Sequence, residues 1–292
     1  MQIYSGVRTD SSRWSDFELR AGDVIVSTPP KCGTTWMMAV VAMLLHSSTE
    51  LPEPLSTLSP WLDYSPTPLE EILSVYGSQE GRRLIKTHTP VDGLPLVKGT
   101  HAISVLRNPI DALRSMRRHV SNMVNPPNGD PFLADEDAVI LRGIELPFES
   151  TNVDEVSLEL LVRHLRAATN GLDETGRSVA MIHYSDMKRD LHKVVSNVAS
   201  VIQAQATPKY LEDVVRAASI SSMRSNADQF TPLAKAGHFK ASEKFFAAGE
   251  ERGHSHLPQD LKVRYDDRLS ELLSPAEAIW LNGGGPLPVT DK

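Results

Sequence analysis

Three places in this chain hold side chains whose type and spacing suit chemistry on an anion. In the first, the apolar run Val24, Ile25 and Val26 leads into Pro30-Lys31-Cys32-Gly33-Thr34-Thr35-Trp36, and an apolar segment continues to Leu45. A short buried strand, a turn and a buried helix fit that pattern. Such a turn aims backbone N–H groups at one point, where the positive helix end and the Lys31 charge add to them, and a phosphate or sulfate suits that point. The stretch is not the Walker-type loop G-x-x-x-x-G-K-[ST], because its lysine precedes its glycine. On the residues alone, a plain strand-turn-helix connection stays open. In the second place, Arg82 to Thr87 predicts a strand that carries Lys86, with His88 at its exit and Pro90 just beyond. Strand exits in α/β sheets face the ligand crevice, which makes His88 the leading general-base candidate, although a histidine there can equally cap its strand. In the third, His101 to Leu106 predicts a strand, and Arg107, Asn108 and Pro109 read as its exit, an N-cap and a first helical position. Ser115 falls nearly two turns along that helix. Arg107 could pair with Asp111, while Arg114, Arg117 and Arg118 read as a solvated face.

The elements that hold these groups follow from periodicity. Ser178 to His183 predicts a fourth strand with Tyr184 at its end. Leu158, Leu161, Leu165 and Ala168 predict one helix, and Leu191, Val194, Val195, Val198, Val201 and Ile202 another. Thr207 with Pro208 starts a third, Tyr265, Leu269 and Leu272 mark a fourth, and Ser274 with Glu277 forms a capping box for the last. Strands alternating with helices predict an α/β fold, a P-loop-like parallel central sheet flanked by helices on both faces, as a single domain over 1–292. Residues 1–22 read as a lead-in packed on the sheet edge. The proline-punctuated stretch 51–68 reads as a surface loop with Trp61 and Leu62 turned inward, and Leu69 to Tyr76 as a short helix stopped by Gly77. Residues 121–155 and 231–256 lack regular periodicity and read as ligand-covering loops, and Met123, Phe132, Leu133 and Phe148 favour an apolar ligand.

The totals bound the reading. A chain of 292 residues with 40% hydrophobic content can bury one large core. Thirty basic against 37 acidic residues, a net charge of -7 and a pI near 5.8 argue against a nucleic-acid partner and leave room for a local cationic pocket. One cysteine excludes an intrachain disulfide, and His254 with His256 lacks a third ligand nearby, so no metal is expected. Cys32 reads either as a low-pKa thiol at a helix start or as a small space-filler. No apolar run spans a membrane and no signal-type segment follows Met1, so a cytoplasmic location is expected. The oligomeric state stays open.

Taken together, Pro30 to Trp36, Lys86-Thr87-His88 with Pro90, Arg107 with Ser115, and Tyr184 to Lys188 resemble the cytosolic-type PAPS-dependent sulfotransferase family across about residues 20–225. Leu51 to Asp63 and Lys86 to Gly93 are most similar to the mycobacterial glycolipid sulfotransferases. The resemblance implies transfer of a sulfuryl group from 3′-phosphoadenosine-5′-phosphosulfate (PAPS), which leaves PAP, to a hydroxyl or amine of a small-molecule or glycolipid acceptor. It implies that Lys31, Cys32, Gly33, Thr34 and Thr35 hold the 5′-phosphate and sulfate, and that Trp36 stacks near the adenine. Arg107 and Ser115 correspond to the 3′-phosphate site, Tyr184 to a tyrosine near the cofactor, His88 to the catalytic base, and Lys31 and Lys86 to the catalytic lysines. Where the family has arginine-lysine-glycine near its C-terminus, this chain has Ala247, Ala248 and Gly249, which leaves Arg252 or Lys244 to stand in. Ala218 replaces a frequent threonine and Ile220 an aromatic residue. Those departures motivate an alternative, a PAP-binding protein of the same fold with little turnover. A nucleotide kinase would need magnesium ligands and a Walker lysine that the chain does not display.

Overall fold

In a computed structural model, the described residues are 1–148, 152–170, 178–231, 238–241 and 251–287. Four strands form one parallel sheet: β1 (Val24–Ser27), β2 (Leu84–Thr87), β3 (His101–Leu106) and β4 (Ser178–His183), in the order β2-β1-β3-β4. Side chains alternate across a strand, so each strand feeds two cores. Val24, Val26, Ile103 and Val105 pack with the helices Thr34–His46, Leu191–Val201 and Pro208–Ala217. Ile25, Ile85, Ala102 and Leu106 pack on the other face with Pro109–Ser121, Glu136–Glu145, Leu158–Asn170 and Gln259–Leu272. Burial on both faces explains the continuous apolar runs of the strands. It also confirms the α/β sheet expected from the sequence.

β1 and β3 are neighbours, and the helices that follow them leave to opposite faces of the sheet. That divergence opens a crevice at their carboxyl ends, which is where ligands bind in such sheets. At the opposite end the buried pair Asp23–Arg83, 2.6 Å apart, ties β1 to the start of β2.

The structure departs from the sequence reading in several places. β2 begins at Leu84, not Arg82, and the helix Leu69–Ser78 runs through Gly77. Trp14 and Phe17 do pack against Ile25 and Ile85 in the core. Residues 121–155 are not one irregular loop: Asp135 caps the helix Glu136–Glu145, whose Val139, Ile140 and Ile144 are buried in the main core. Met123 and Phe132 belong to that core, and Phe148 packs near Tyr4, whereas Leu133 is exposed. Leu62 is buried as expected, and Trp61 stays partly exposed.

Candidate active site

The turn after β1 is built for a tight approach of backbone. Lys31 (φ 67°) and Gly33 (φ 103°) both adopt left-handed conformations, and the helix starting at Thr34 has no side-chain cap. A Cβ at Gly33 would lie 2.9 Å from Cδ2 of Tyr184. Thr28 and Thr34 join their hydroxyls at 2.5 Å across the turn. The first amides of the Thr34–His46 helix, lacking intrahelical acceptors, face the crevice end of the sheet.

Tyr184, at the exit of β4, gathers three of the residues predicted to serve the donor. Gly33 packs on its ring, Trp36 meets it edge-on at 5.4 Å, and the Arg107 guanidinium lies 4.1 Å over its face. Trp36 is fixed from its far side by an Nε1–H bond to the Ala218 carbonyl at 2.8 Å. Arg107 is 5% exposed and donates to the Lys31 carbonyl at 3.3 Å; its Nε is buried with no hydrogen-bond partner. Among the described residues it has no carboxylate partner, and Asp111 does not take that part. Asp111 accepts from the amides of Arg252 and Gly253 and lies 3.7 Å from Arg114.

Arg114 corrects the solvated-face reading as well. It is buried, paired with Glu136 at 2.8 Å, and donates to the Gly253 carbonyl at 2.9 Å. Arg118 is exposed but close enough to Lys31 and Arg107 for their charges to act on it. Ser115 sits half-buried on the second turn of its helix, and no hydrogen bond joins it to Arg107.

The cationic side chains Lys31, Lys86, Arg107 and Arg118 therefore converge at the crevice. Burial lowers the Lys31 ammonium to about 7, and the charges of Arg107, Arg118 and Lys86 add to that shift. Its Nζ lies 3.2 Å from Nδ1 of His119, a residue that sequence reasoning missed. Helical spacing on the Asp111, Ser115 and His119 face was the available signal. Cys32 is buried, and burial pushes its thiol up to about 12 against the opposing pull of Arg107. Desolvation thus outweighs the pull of Arg107 and Lys31 on the thiol.

On β2, Lys86 is lowered to about 8 by burial, against the opposing charges of Asp63 and Asp154. Its Nζ stands 3.8 Å over the Trp61 ring, and Trp61 meets the His88 ring edge-on at 4.8 Å. His88 is buried, with Nδ1 2.6 Å from the Thr28 carbonyl. A carbonyl only accepts, so Nδ1 carries the proton and Nε2 keeps its lone pair. Burial, then Lys86, holds the imidazole well below its usual range, and Lys31 is among the charges acting on it. His88 is thus a neutral base candidate beside the cationic turn.

Two further elements close on the site. In the N-terminal arm, Asp154 accepts from the Arg8 and Thr9 amides and from the Thr9 hydroxyl, and the Arg8 carbonyl accepts from Ser65. Tyr64, next in chain to Ser65, stacks on Trp61 at 4.9 Å. The arm thus borders the site, which its sequence did not show. At the other end of the chain, Asn108 donates to the Asn282 main-chain and side-chain oxygens at 3.0 and 3.1 Å, and His183 donates to the Leu281 carbonyl at 3.1 Å. The Gly285 amide donates to Asp186 at 3.0 Å. The exits of β3 and β4 are thus stapled to the last helix.

Gly249, with Ala247, Ala248 and Lys244, lies outside the described residues. Arg252 is exposed, its amide held by Asp111. His254 stacks on Tyr265, and His256 contacts Ser255 and the Arg252 carbonyl. Among the described residues no group of three His, Cys, Asp or Glu side chains is placed to hold a metal ion, and no helix is long and apolar enough to cross a membrane.

The arrangement can hold a multiply charged anion between two strand exits and offer it a neutral base. The glycolipid sulfotransferase of Mycobacterium tuberculosis is 31% identical, covering 97% of this chain and 94% of its own, and that of Mycobacterium bovis matches equally. A crystal structure of a mouse sulfotransferase complexed with PAP superposes with a TM-score of 0.65 at 18% identity, over 92% of this chain and 91% of its own. Retinol dehydratase in complex with retinol and PAP gives 0.69 at 13% identity, over 91% and 85%. These two share the fold. The sulfotransferase domain family itself matches residues 21–275, a span that contains all four strand exits, and with the mycobacterial identity it shows that the chain belongs to the sulfotransferases.

Proposed function

We propose that this sulfotransferase uses PAPS as donor and a glycolipid hydroxyl as acceptor, with His88 as general base. The donor supplies an activated sulfuryl group. The residues present fit it: among the described residues the buried Arg107 guanidinium has an unpartnered Nε and no carboxylate partner, and the helix start at Thr34 has no side-chain cap. Lys31, Thr34 and Thr35, with the uncapped helix start, would hold the 5′ end, and Arg107 would hold the 3′-phosphate. Trp36 and Tyr184 would flank the adenine.

His88 then accepts the acceptor hydroxyl's proton at Nε2, while its Nδ1–H stays on the Thr28 carbonyl. Lys31 and Lys86 stabilise charge that develops on the departing phosphate oxygen. Sulfuryl transfer resembles phosphoryl transfer, so positioning and charge carry most of the rate. The acceptor class rests on the names of the mycobacterial relatives.

The observation that carries this reading is the single His88 tautomer presented beside a cationic crevice. It is tested by His88→Ala with labelled PAPS and a panel of glycolipid acceptors. Turnover is expected to fall by about 10²- to 10⁴-fold with PAP affinity kept. Wild-type turnover in the variant refutes the base, and tight PAP binding with no transfer by the wild type to any acceptor favours a binding protein.

A further inference from the structure

The segment from Ser59 to Asp63 lies against β2 at the residues that carry the base. Trp61 bridges to Lys86 in the parallel sense. Two residues on, Asp63 is fully buried, and its Oδ2 accepts from the Thr87 hydroxyl at 2.5 Å, the Thr89 hydroxyl at 2.6 Å and the Trp14 Nε1–H at 3.2 Å. The Thr87 hydroxyl itself accepts from the Thr89 amide at 2.8 Å, so its own proton is the one given to Asp63. The Thr89 carbonyl accepts from the Ser27 hydroxyl at 2.6 Å. Both chain neighbours of His88 are therefore fastened to one oxygen. Burial raises the Asp63 carboxyl above its usual range, and the three donors converging on Oδ2 oppose that shift and favour the carboxylate.

We propose that Asp63 is a positioning residue for sulfuryl transfer, clamping Thr87 and Thr89 on either side of His88 so that its ring stays on Thr28, and setting a negative charge against Lys86. The assignment rests on His88 as the base. Lys86 faces Asp63 and Asp154 on the acidic side, and Lys31, His88 and His119 on the basic side. Of these, Asp63 is the largest charge favouring the Lys86 ammonium.

Asp63→Asn keeps an acceptor oxygen and removes the charge, whereas Asp63→Ala removes both. Asp63→Ala is expected to lower kcat by about 10²-fold with the donor KM little changed, since misplacing a base by a fraction of a bond length has that scale. Asp63→Asn is expected to keep most of kcat at mildly acidic pH and to move the alkaline limb of the kcat profile down by roughly one pH unit. Nitrogen-15 NMR of His88 supplies a readout apart from activity: Nδ1–H alone in the wild type and in Asp63→Asn, a mixture of tautomers in Asp63→Ala. Wild-type kcat and a single tautomer in Asp63→Ala overturn the clamp, and an unmoved alkaline limb in Asp63→Asn overturns the charge. Should Asp63→Ala fail to fold, Thr89→Val removes one arm and must lower kcat in the same direction; unchanged kcat there overturns the clamp. A tautomer mixture in Asp63→Ala alongside full turnover in His88→Ala would keep the clamp and discard the base.

Discussion

Binding of PAP at pH 8 should draw a proton out of solution, because the cationic turn is undercharged before the ligand arrives. Lys31 titrates near 7, lowered first by burial and then by Arg107, Arg118 and Lys86. At pH 8 about nine-tenths of it is therefore neutral in the free protein, and a bound polyanion that restores an ordinary lysine value returns about 0.9 proton. Lys86, near 8, adds up to about half a proton if the same charge reaches it. At pH 6 both are already charged and the uptake should vanish. PAP itself contributes little at pH 8, since phosphate monoesters lose their second proton at about 6. The sign follows for affinity: binding weakens as pH rises above 7, by up to about tenfold per unit for one coupled proton. Isothermal calorimetry at pH 8 in buffers of different ionisation enthalpy reads the proton count directly. Lys31→Met should leave only the smaller Lys86 share. Buffer-independent heats at pH 8, or an unchanged count in Lys31→Met, would refute the charge argument.

Gly33→Ala forces a Cβ to 2.9 Å from Tyr184 at a φ of 103°, and should weaken PAP binding at least about tenfold while the protein stays folded, measured by calorimetry and thermal melting. Arg107→Ala should weaken PAP by about 10- to 100-fold and leave AMP nearly unaffected, the scale of charge-assisted hydrogen bonds to a 3′-phosphate; equal losses for both nucleotides would contradict its role. Asp23→Asn leaves the buried Arg83 without its carboxylate at the sheet end away from the site, and should cost about 3–5 kcal/mol in urea unfolding.

The strand exits could be read from the chain because a parallel sheet buried on both faces favours nearly continuous apolar runs, and Val24–Val26 and Ala102–Leu106, broken only by the small buried Ser104, display them. Where such a run stops, Lys31, His88 and Arg107 follow within a few residues. What the sequence hid is long-range. Asp63 looks like one acid in a proline-rich stretch until β2 brings Thr87 and Thr89 against it. Arg114 repeats like a surface charge, and only the Glu136–Glu145 helix and the Gly253 carbonyl, packed over it, bury it. The same helix escaped notice because the cluster of prolines before it masked the Asp135 cap and the apolar Val139, Ile140 and Ile144.

Asn282 reaches back 174 residues to Asn108, and Leu281 reaches 98 to His183. Contacts so distant in sequence form late, because the intervening chain must close on itself first. During synthesis, Arg107 and Tyr184 would thus emerge from the ribosome well before the segment that steadies them. A nascent chain halted before Trp280 should carry its sheet yet grip nucleotide loosely, and an affinity tag fused close behind Gly285 risks the same slackness.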